Sequence, residues 1–245
     1  MKYVFYIEGA DNVGKTTTII QLKEELKSSN IINYHFLHYP SDNLKDFLNK
    51  YSITTKKEKV FISKNFEFLI NVLINDMKDS LSNNNNSSIH DDIYICDRGI
   101  LSTYLYQYKK YIESFNFNNK SELEQLKNFI DTFLNEYYNN NVQYNTIIFH
   151  NNRKDISLPI DSTETIEYKK NFDNDKNLQN SINESIDNIV SIMNKENYSI
   201  SFSNFKFYYI DIYDKNNIRK TKDTIYNEVK NIINQITKKE NCSNE

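Results

Sequence analysis

Short apolar runs alternate with amphipathic stretches along most of this chain. Residues 2–7 (KYVFYI) are β-branched and aromatic with no breaker, and predict a buried strand. Residues 16–29 place Ile19, Leu22 and Leu26 at helical spacing with charges between them, and predict a helix. A second strand is expected over 33–39, ended by Pro40. A short helix over 44–51 and a longer one over 56–81 follow. The longer one puts Val60, Phe61, Phe68, Leu69, Val72, Leu73 and Met77 on one broad face. Further strands are expected over 92–97, 145–150 and 205–212. Helices are expected over 101–112, 121–138, 181–193 and 218–236. Residues 82–88 (SNNNNSS) form a polar low-complexity insert and read as a mobile surface loop. Residues 151–171 are polar, contain Pro159 and show no period, and read as a flexible lid. Residues 239–245 read as a frayed tail.

Strands alternating with helices predict an α/β fold, three-layer α/β/α around a five-stranded parallel sheet. No repeat or linker marks a second domain, so residues 1–238 are expected to form one. In such sheets ligands bind at the carboxyl ends of the strands. Three strands deliver polar residues there, and their ends are expected to converge on one cleft.

The first of these ends is the most telling. The chain has only three glycines, and two of them frame Gly9-Ala10-Asp11-Asn12-Val13-Gly14-Lys15-Thr16. This is a complete G-x-x-x-x-G-K-[ST] phosphate loop, with a strand before it and a helix after it. Glycine permits a positive φ and close approach of the main chain to an anion. Backbone N–H groups of the loop, including that of Thr17, and the helix N-terminus favour a polyphosphate. Lys15 is placed to reach the β- and γ-phosphates of ATP, and the Thr16 hydroxyl to ligate Mg²⁺.

Composition narrows the partners. Net charge is −3 and no basic stripe gathers on the chain, which argues against nucleic acid. The Tyr-rich strands read as core, because basic residues do not interleave with them as in a base-stacking platform. Cys96 and Cys242 show neither metal nor disulfide spacing, which suits a reducing compartment. No run approaches the ~18 apolar residues of a membrane span. The chain opens directly on a strand, so no signal peptide is expected and a cytoplasmic location follows.

The third glycine follows Asp97-Arg98 at the end of the third strand. Asp97 stands where a Walker-type aspartate holds Mg²⁺, directly or through water. Arg98 offers a planar fork to a second phosphate. His38, at the end of the second strand, reads as a strand-end residue rather than a base.

Two stretches together resemble the thymidylate kinase family. Residues 8–17, Glu8 to Thr17, resemble its E-G-x-D-x-x-G-K-[ST]-T loop. Residues 97–107, Asp97 to Gln107, resemble its D-R-x-x-x-S-x-x-A-Y-Q run. Tyr39-Pro40 sits where the family has Phe-Pro, and Phe68 where a family phenylalanine stacks on thymine. The resemblance spans residues 3–107; beyond it only the order of strands and helices is shared.

That resemblance implies ATP-dependent phosphorylation of a deoxynucleoside 5′-monophosphate, thymidylate foremost, with Mg²⁺. It implies catalytic roles for Lys15, Arg98, Asp97 and Asp11, the last facing the acceptor's sugar hydroxyl. It implies that Tyr39, Phe68, Arg98, Ser102, Thr103 and Tyr106 line the acceptor, with Tyr106 crowding the 2′ position. Phe68 and Tyr106 read equally as plain packing residues. Arg153, Lys154, Lys169 and Lys170 are the cations at the two ends of the lid. Homologues of the family pair through helices beside the sheet, so a homodimer is open.

The chain departs from the family where two arginines grip the acceptor phosphate. Asp42 and Val72 stand in their places, and Lys45 is the nearest substitute cation. A deoxynucleoside kinase is therefore the closest rival, with Asp42 as its candidate base. A nucleotide-binding homologue without kinase activity is a third reading. A kinase acting on bases within DNA is disfavoured by the acidic balance.

Overall fold

The computed structural model describes residues 2–10, 13–26, 33–39, 41, 75–76, 79, 92–105, 124, 142–153, 180, 182–191 and 205–239. The expected helix at 44–51, all of that at 56–81 except Asn75, Asp76 and Asp79, which are helical, the insert at 82–88 and the tail from 240 lie outside these residues. So does nearly all of 121–138, and the lid beyond Arg153.

Among the described residues there are five strands: β1 (Lys2–Gly9), β2 (Asn33–His38), β3 (Asp92–Asp97), β4 (Val142–His150) and β5 (Phe205–Asp211). They form one parallel sheet in the order β2-β3-β1-β4-β5. Such an order needs crossovers, and the alternation of apolar runs with helical periods supplies them. The described helical segments include α1 (Lys15–Leu26), α2 (Ile100–Thr103), α3 (182–191) and α4 (Lys222–Lys239). No described helix is long and apolar enough to cross a membrane.

The chain divides into two compact units. Residues Met1–Tyr6 with Ile31–Tyr144 form one, and Ile7–Asn30 with Asn145–Glu245 the other. In the first unit β2 and β3 run in register from Asn33 opposite Asp92 to His38 opposite Asp97. Tyr3, Phe5, Ile93, Tyr94 and Ile95 are buried there. Burying side chains of this size stabilises by about 1.5–3 kcal/mol each. At the amino ends of these strands His35 stacks on Tyr94, with ring centroids 4.6 Å apart. The same imidazole lies 3.3 Å from the Asp92 carboxylate.

In the second unit α1 turns Ile19 and Leu22 inward, and α4 buries Ile225, Val229, Ile233 and Ile236. That spacing puts one apolar stripe on each helix. The two helices are joined at their exposed edges by Gln21 Nε2 donating to Asp223 Oδ1 at 3.1 Å, and by an ion pair of Lys230 with Glu25. On α3 Ile182, Ile186, Ile189 and Val190 are buried.

The last helix corrects its expected start at 218. Ile218 is exposed and belongs to a turn in which Asp214 Oδ1 accepts from the N–H groups of Asn216 and Ile218 at 2.8 Å. Arg219 then bridges back to Tyr213. The Thr221 hydroxyl caps the helix by accepting from the Thr224 N–H at 3.2 Å. Strand β4 also begins before its expected position at 145. The early residue Gln143 is polar yet buried, as are Asn145 and Thr146 further along. Gln143 breaks the apolar pattern at the start of the strand.

Candidate phosphate-binding site

The loop after β1 is shaped by its two glycines. Gly9 has φ 139° and Gly14 φ 105°, both in the region that favours glycine. Gly9 carries a second constraint. A Cβ there would meet the Phe149 carbonyl oxygen of β4 at 2.7 Å. Around Gly14 nothing lies within 4 Å, so its need is conformational alone. Ala10 and Val13 are buried and pin the loop to the core. Thr18 closes the first turn of α1, with its N–H and its hydroxyl both 3.1 Å from the Gly14 carbonyl. Glu8, just before the loop, is fully buried.

Lys15 is the chemical centre of this loop. Its side chain folds back under the loop, and the residue is only 5% exposed. Its ammonium donates to the carbonyls of Gly9 at 2.9 Å and Ala10 at 2.5 Å. A cation is therefore held on the inner side of the loop, beside the backbone that brackets it. Thr16 and Thr17 stand exposed in the first turn of α1, where N–H groups lack intrahelical acceptors. A positive helix end, a buried ammonium and an exposed hydroxyl are what a polyphosphate with a hard cation requires. Asp11 and Asn12 lie outside the described residues.

The other unit carries the second constellation. Asp97 ends β3, and its Oδ2 lies 3.8 Å from His38 Nδ1. The Tyr39 N–H donates to the Asp97 carbonyl at 3.0 Å, which extends the pairing of β2 with β3 by one residue. Arg98 sits at φ 69°, a conformation that costs an ordinary L-residue energy. Gly99 follows, and its place is set by packing. A Cβ there would fall 2.2 Å from Cδ1 of Tyr6. Chain direction thus changes sharply between Asp97 and α2, and this turn presents Arg98. Tyr39 and Ser102 are buried, and Thr103 ends α2. Phe68 and Tyr106 lie outside the described residues.

Two polar clusters escaped the sequence reading. Asp76 accepts from the N–H of Ser41 at 2.8 Å and from its hydroxyl. His150, the last residue of β4, bridges two carboxylates. Its Nδ1 lies 2.6 Å from Asp211 Oδ1 and its Nε2 2.7 Å from Asp187 Oδ1. Asn152 secures the next turn, exchanging hydrogen bonds of 3.1 and 3.2 Å with the backbone of Tyr213. Of the lid cations only Arg153 is described; its N–H donates to Asn151 Oδ1 at 3.3 Å. Lys154, Lys169 and Lys170 lie outside the described residues. Among the described residues no group of three or more His, Cys, Asp or Glu side chains is arranged to hold a metal ion.

No protein-family model matches the chain, and no curated protein matches it. Among solved structures it is similar to a thymidylate kinase from Ehrlichia chaffeensis. The identity is 16% and the TM-score 0.48, over 95% of this chain and 98% of that one.

Proposed function

We propose that this chain is an ATP-dependent kinase that phosphorylates a deoxynucleoside 5′-monophosphate, thymidylate foremost, within a single domain over residues 1–238. The observation that carries the reading is the loop Gly9–Thr16, set between a buried strand and a helix with the Lys15 ammonium held inside it. Phosphoryl transfer asks little covalent chemistry of a protein; it asks for positioning and neutralised charge. Lys15 exchanges its two carbonyl partners for β- and γ-phosphate oxygens of ATP. The N–H groups of the loop and of the first turn of α1 hold the remaining oxygens. The Thr16 hydroxyl and the Asp97 carboxylate are hard oxygen donors and would hold Mg²⁺, which supplies further neutralisation when bound.

On the acceptor side, Arg98 grips the acceptor phosphate and the group in transit through its planar fork. The left-handed backbone at Arg98 supports this role, because strain of this kind gathers where aim matters. Tyr39, Ser102, Thr103, Phe68 and Tyr106 enclose base and sugar, and Asp11 meets the sugar hydroxyl. Arg153, Lys154, Lys169 and Lys170 are the candidates to reach the transferred group from the lid. A coupled ADP-release assay over a panel of nucleosides and nucleoside monophosphates tests the reading. Thymidylate should turn over best, and Lys15→Ala should lower its rate by about a hundredfold or more, as for loss of a transition-state charge contact. Turnover of Lys15→Ala within about tenfold of wild type would overturn it. Faster turnover of thymidine than thymidylate would make the protein a nucleoside kinase. ATP binding with no turnover of any acceptor would make it a nucleotide-binding homologue without activity.

A further inference from the structure

His150 is held at both ring nitrogens and at its carbonyl, one residue beyond the backbone that touches the phosphate loop. Its Nδ1 lies 2.6 Å from Asp211 Oδ1 at the end of β5, and its Nε2 2.7 Å from Asp187 Oδ1 on α3. Two carboxylate oxygens accept, so the ring donates from both nitrogens, which only the imidazolium does. The imidazole and Asp187 are each 13% exposed, so water is a poor substitute for this bond. The His150 carbonyl accepts from the N–H groups of Ile212 at 3.0 Å and Asn152 at 3.1 Å. One residue back, a Cβ on Gly9 would fall 2.7 Å from the Phe149 carbonyl oxygen and 3.2 Å from its Cβ. The first glycine of the loop therefore rests on the end of β4. Two residues on, Asn152 is bonded to the Tyr213 backbone, where the chain leaves the sheet. Gly9, Phe149, His150, Asp187 and Asp211 all belong to one compact unit.

We propose that His150 is a positioning residue of the donor side. Clamped between α3 and β5, it fixes the end of β4, and through the Phe149 backbone it fixes the phosphate loop at Gly9. It also sets the point from which the expected lid over 151–171 departs. The inference rests on the kinase reading above, with ATP in that loop. Three ionised groups are a poor way merely to hold a sheet together, since apolar packing of the same volume stabilises as well or better. What they add is direction: two short bonds on opposite sides of a planar ring fix its place and its tilt. Loop N–H groups grip phosphate only within a narrow range of distance and angle. Slack at Phe149 is therefore felt as weaker ATP binding.

The test separates position from stability. Asp187→Asn with Asp211→Asn keeps both arms of the clamp, because an amide accepts or donates as the ring requires. His150→Ala in that same background removes the ring without leaving two charges face to face. The Kd of an unreactive ATP analogue, the KM for ATP and for thymidylate, and the melting point are measured for wild type and both variants. The pair variant should bind the analogue within about threefold of wild type, and the triple variant about tenfold more weakly, as for one lost charged hydrogen bond. The two variants should melt close together, and the thymidylate KM should stay within about threefold of wild type in both. A brace with no positioning role behaves differently: the triple variant binds the analogue as the pair variant does, or affinity follows the melting point. That outcome, or a thymidylate KM that rises as much as the ATP KM, overturns the inference alone. His150→Gln keeps one arm and decides the matter if the triple variant does not fold. Its analogue Kd should rise about fivefold, and an unchanged Kd overturns the inference. If the analogue binds but no acceptor turns over, the Kd comparison still decides. If the analogue does not bind wild type, the kinase reading fails and the inference falls with it.

Discussion

Gly99→Ala isolates one steric contact. The added methyl would sit 2.2 Å from Cδ1, 2.6 Å from Cγ and 2.9 Å from Cε1 of Tyr6. The Tyr6 ring is only 1% exposed and has no room to swing away. The backbone at Gly99 is open to any residue, since its φ is not in the left-handed region. The cost is therefore overpacking alone, about 3 kcal/mol, toward the upper end for an inserted carbon in a tight core. In a chain of this size that lowers the melting temperature by about 6–12 °C. Urea unfolding followed by circular dichroism, on wild type, Gly99→Ala, Tyr6→Leu and the double variant, separates the causes. With the ring gone, alanine at 99 should cost less than about 1 kcal/mol, which leaves a coupling of about 2 kcal/mol. Additive losses, or a Gly99→Ala protein as stable as wild type, would refute the argument. Gly14→Ala is the contrast. It meets no atom within 4 Å, so only its φ of 105° opposes alanine. Its cost of about 1–3 kcal/mol should be the same whatever its neighbours are.

Arg98→Lys keeps the charge but loses the planar fork, and kcat/KM for thymidylate should fall by about ten- to a hundredfold; an unchanged value would place Arg98 in a structural role. His150→Ala leaves Asp187 and Asp211 facing each other without their shared partner. It should cost about 3 kcal/mol, at the low end for a broken buried pair because Asp211 is partly exposed. Adding Asp187→Asn and Asp211→Asn should restore most of that in a thermal melt, and a failure to restore it would exclude charge as the cause. Burial, and then the nearby Asp92 charge, push the Tyr94 phenol up to about 12 from its ordinary value of 10.0. Its contribution to stability is then complete below pH 10 and lost as pH rises from 10 to about 12. Over that window stability should fall more steeply in wild type than in Tyr94→Phe, and equal slopes would disprove the effect.

The parts of the fold that the sequence announced are those where polarity and period agree. Strand β3 was bounded correctly because Asp92 and Asp97 bracket an unbroken apolar run. The loop at Gly9 and Gly14 was legible because glycine is scarce in this chain and its spacing carries a mechanism. Where polar residues are buried, the pattern misled. Gln143 concealed the start of β4, and an Asp214 turn displaced the start of α4. The polar clusters were out of reach for another reason. His150 finds its partners 37 and 61 residues away, and Ser41 its own 35 away. No local period encodes such pairs; only the crossovers between strands bring them together. Asp42 was the expected candidate carboxylate after β2 and lies outside the described residues, while Asp76 occupies that neighbourhood from afar.

The left-handed backbone at Arg98 also sets a direction for laboratory evolution. Glycine or asparagine would sit at φ 69° with less strain. A library screened for heat resistance alone should therefore enrich both at position 98. The same library screened for turnover should hold arginine there. The position at which the two screens disagree most is where folding and chemistry make opposite demands on one residue.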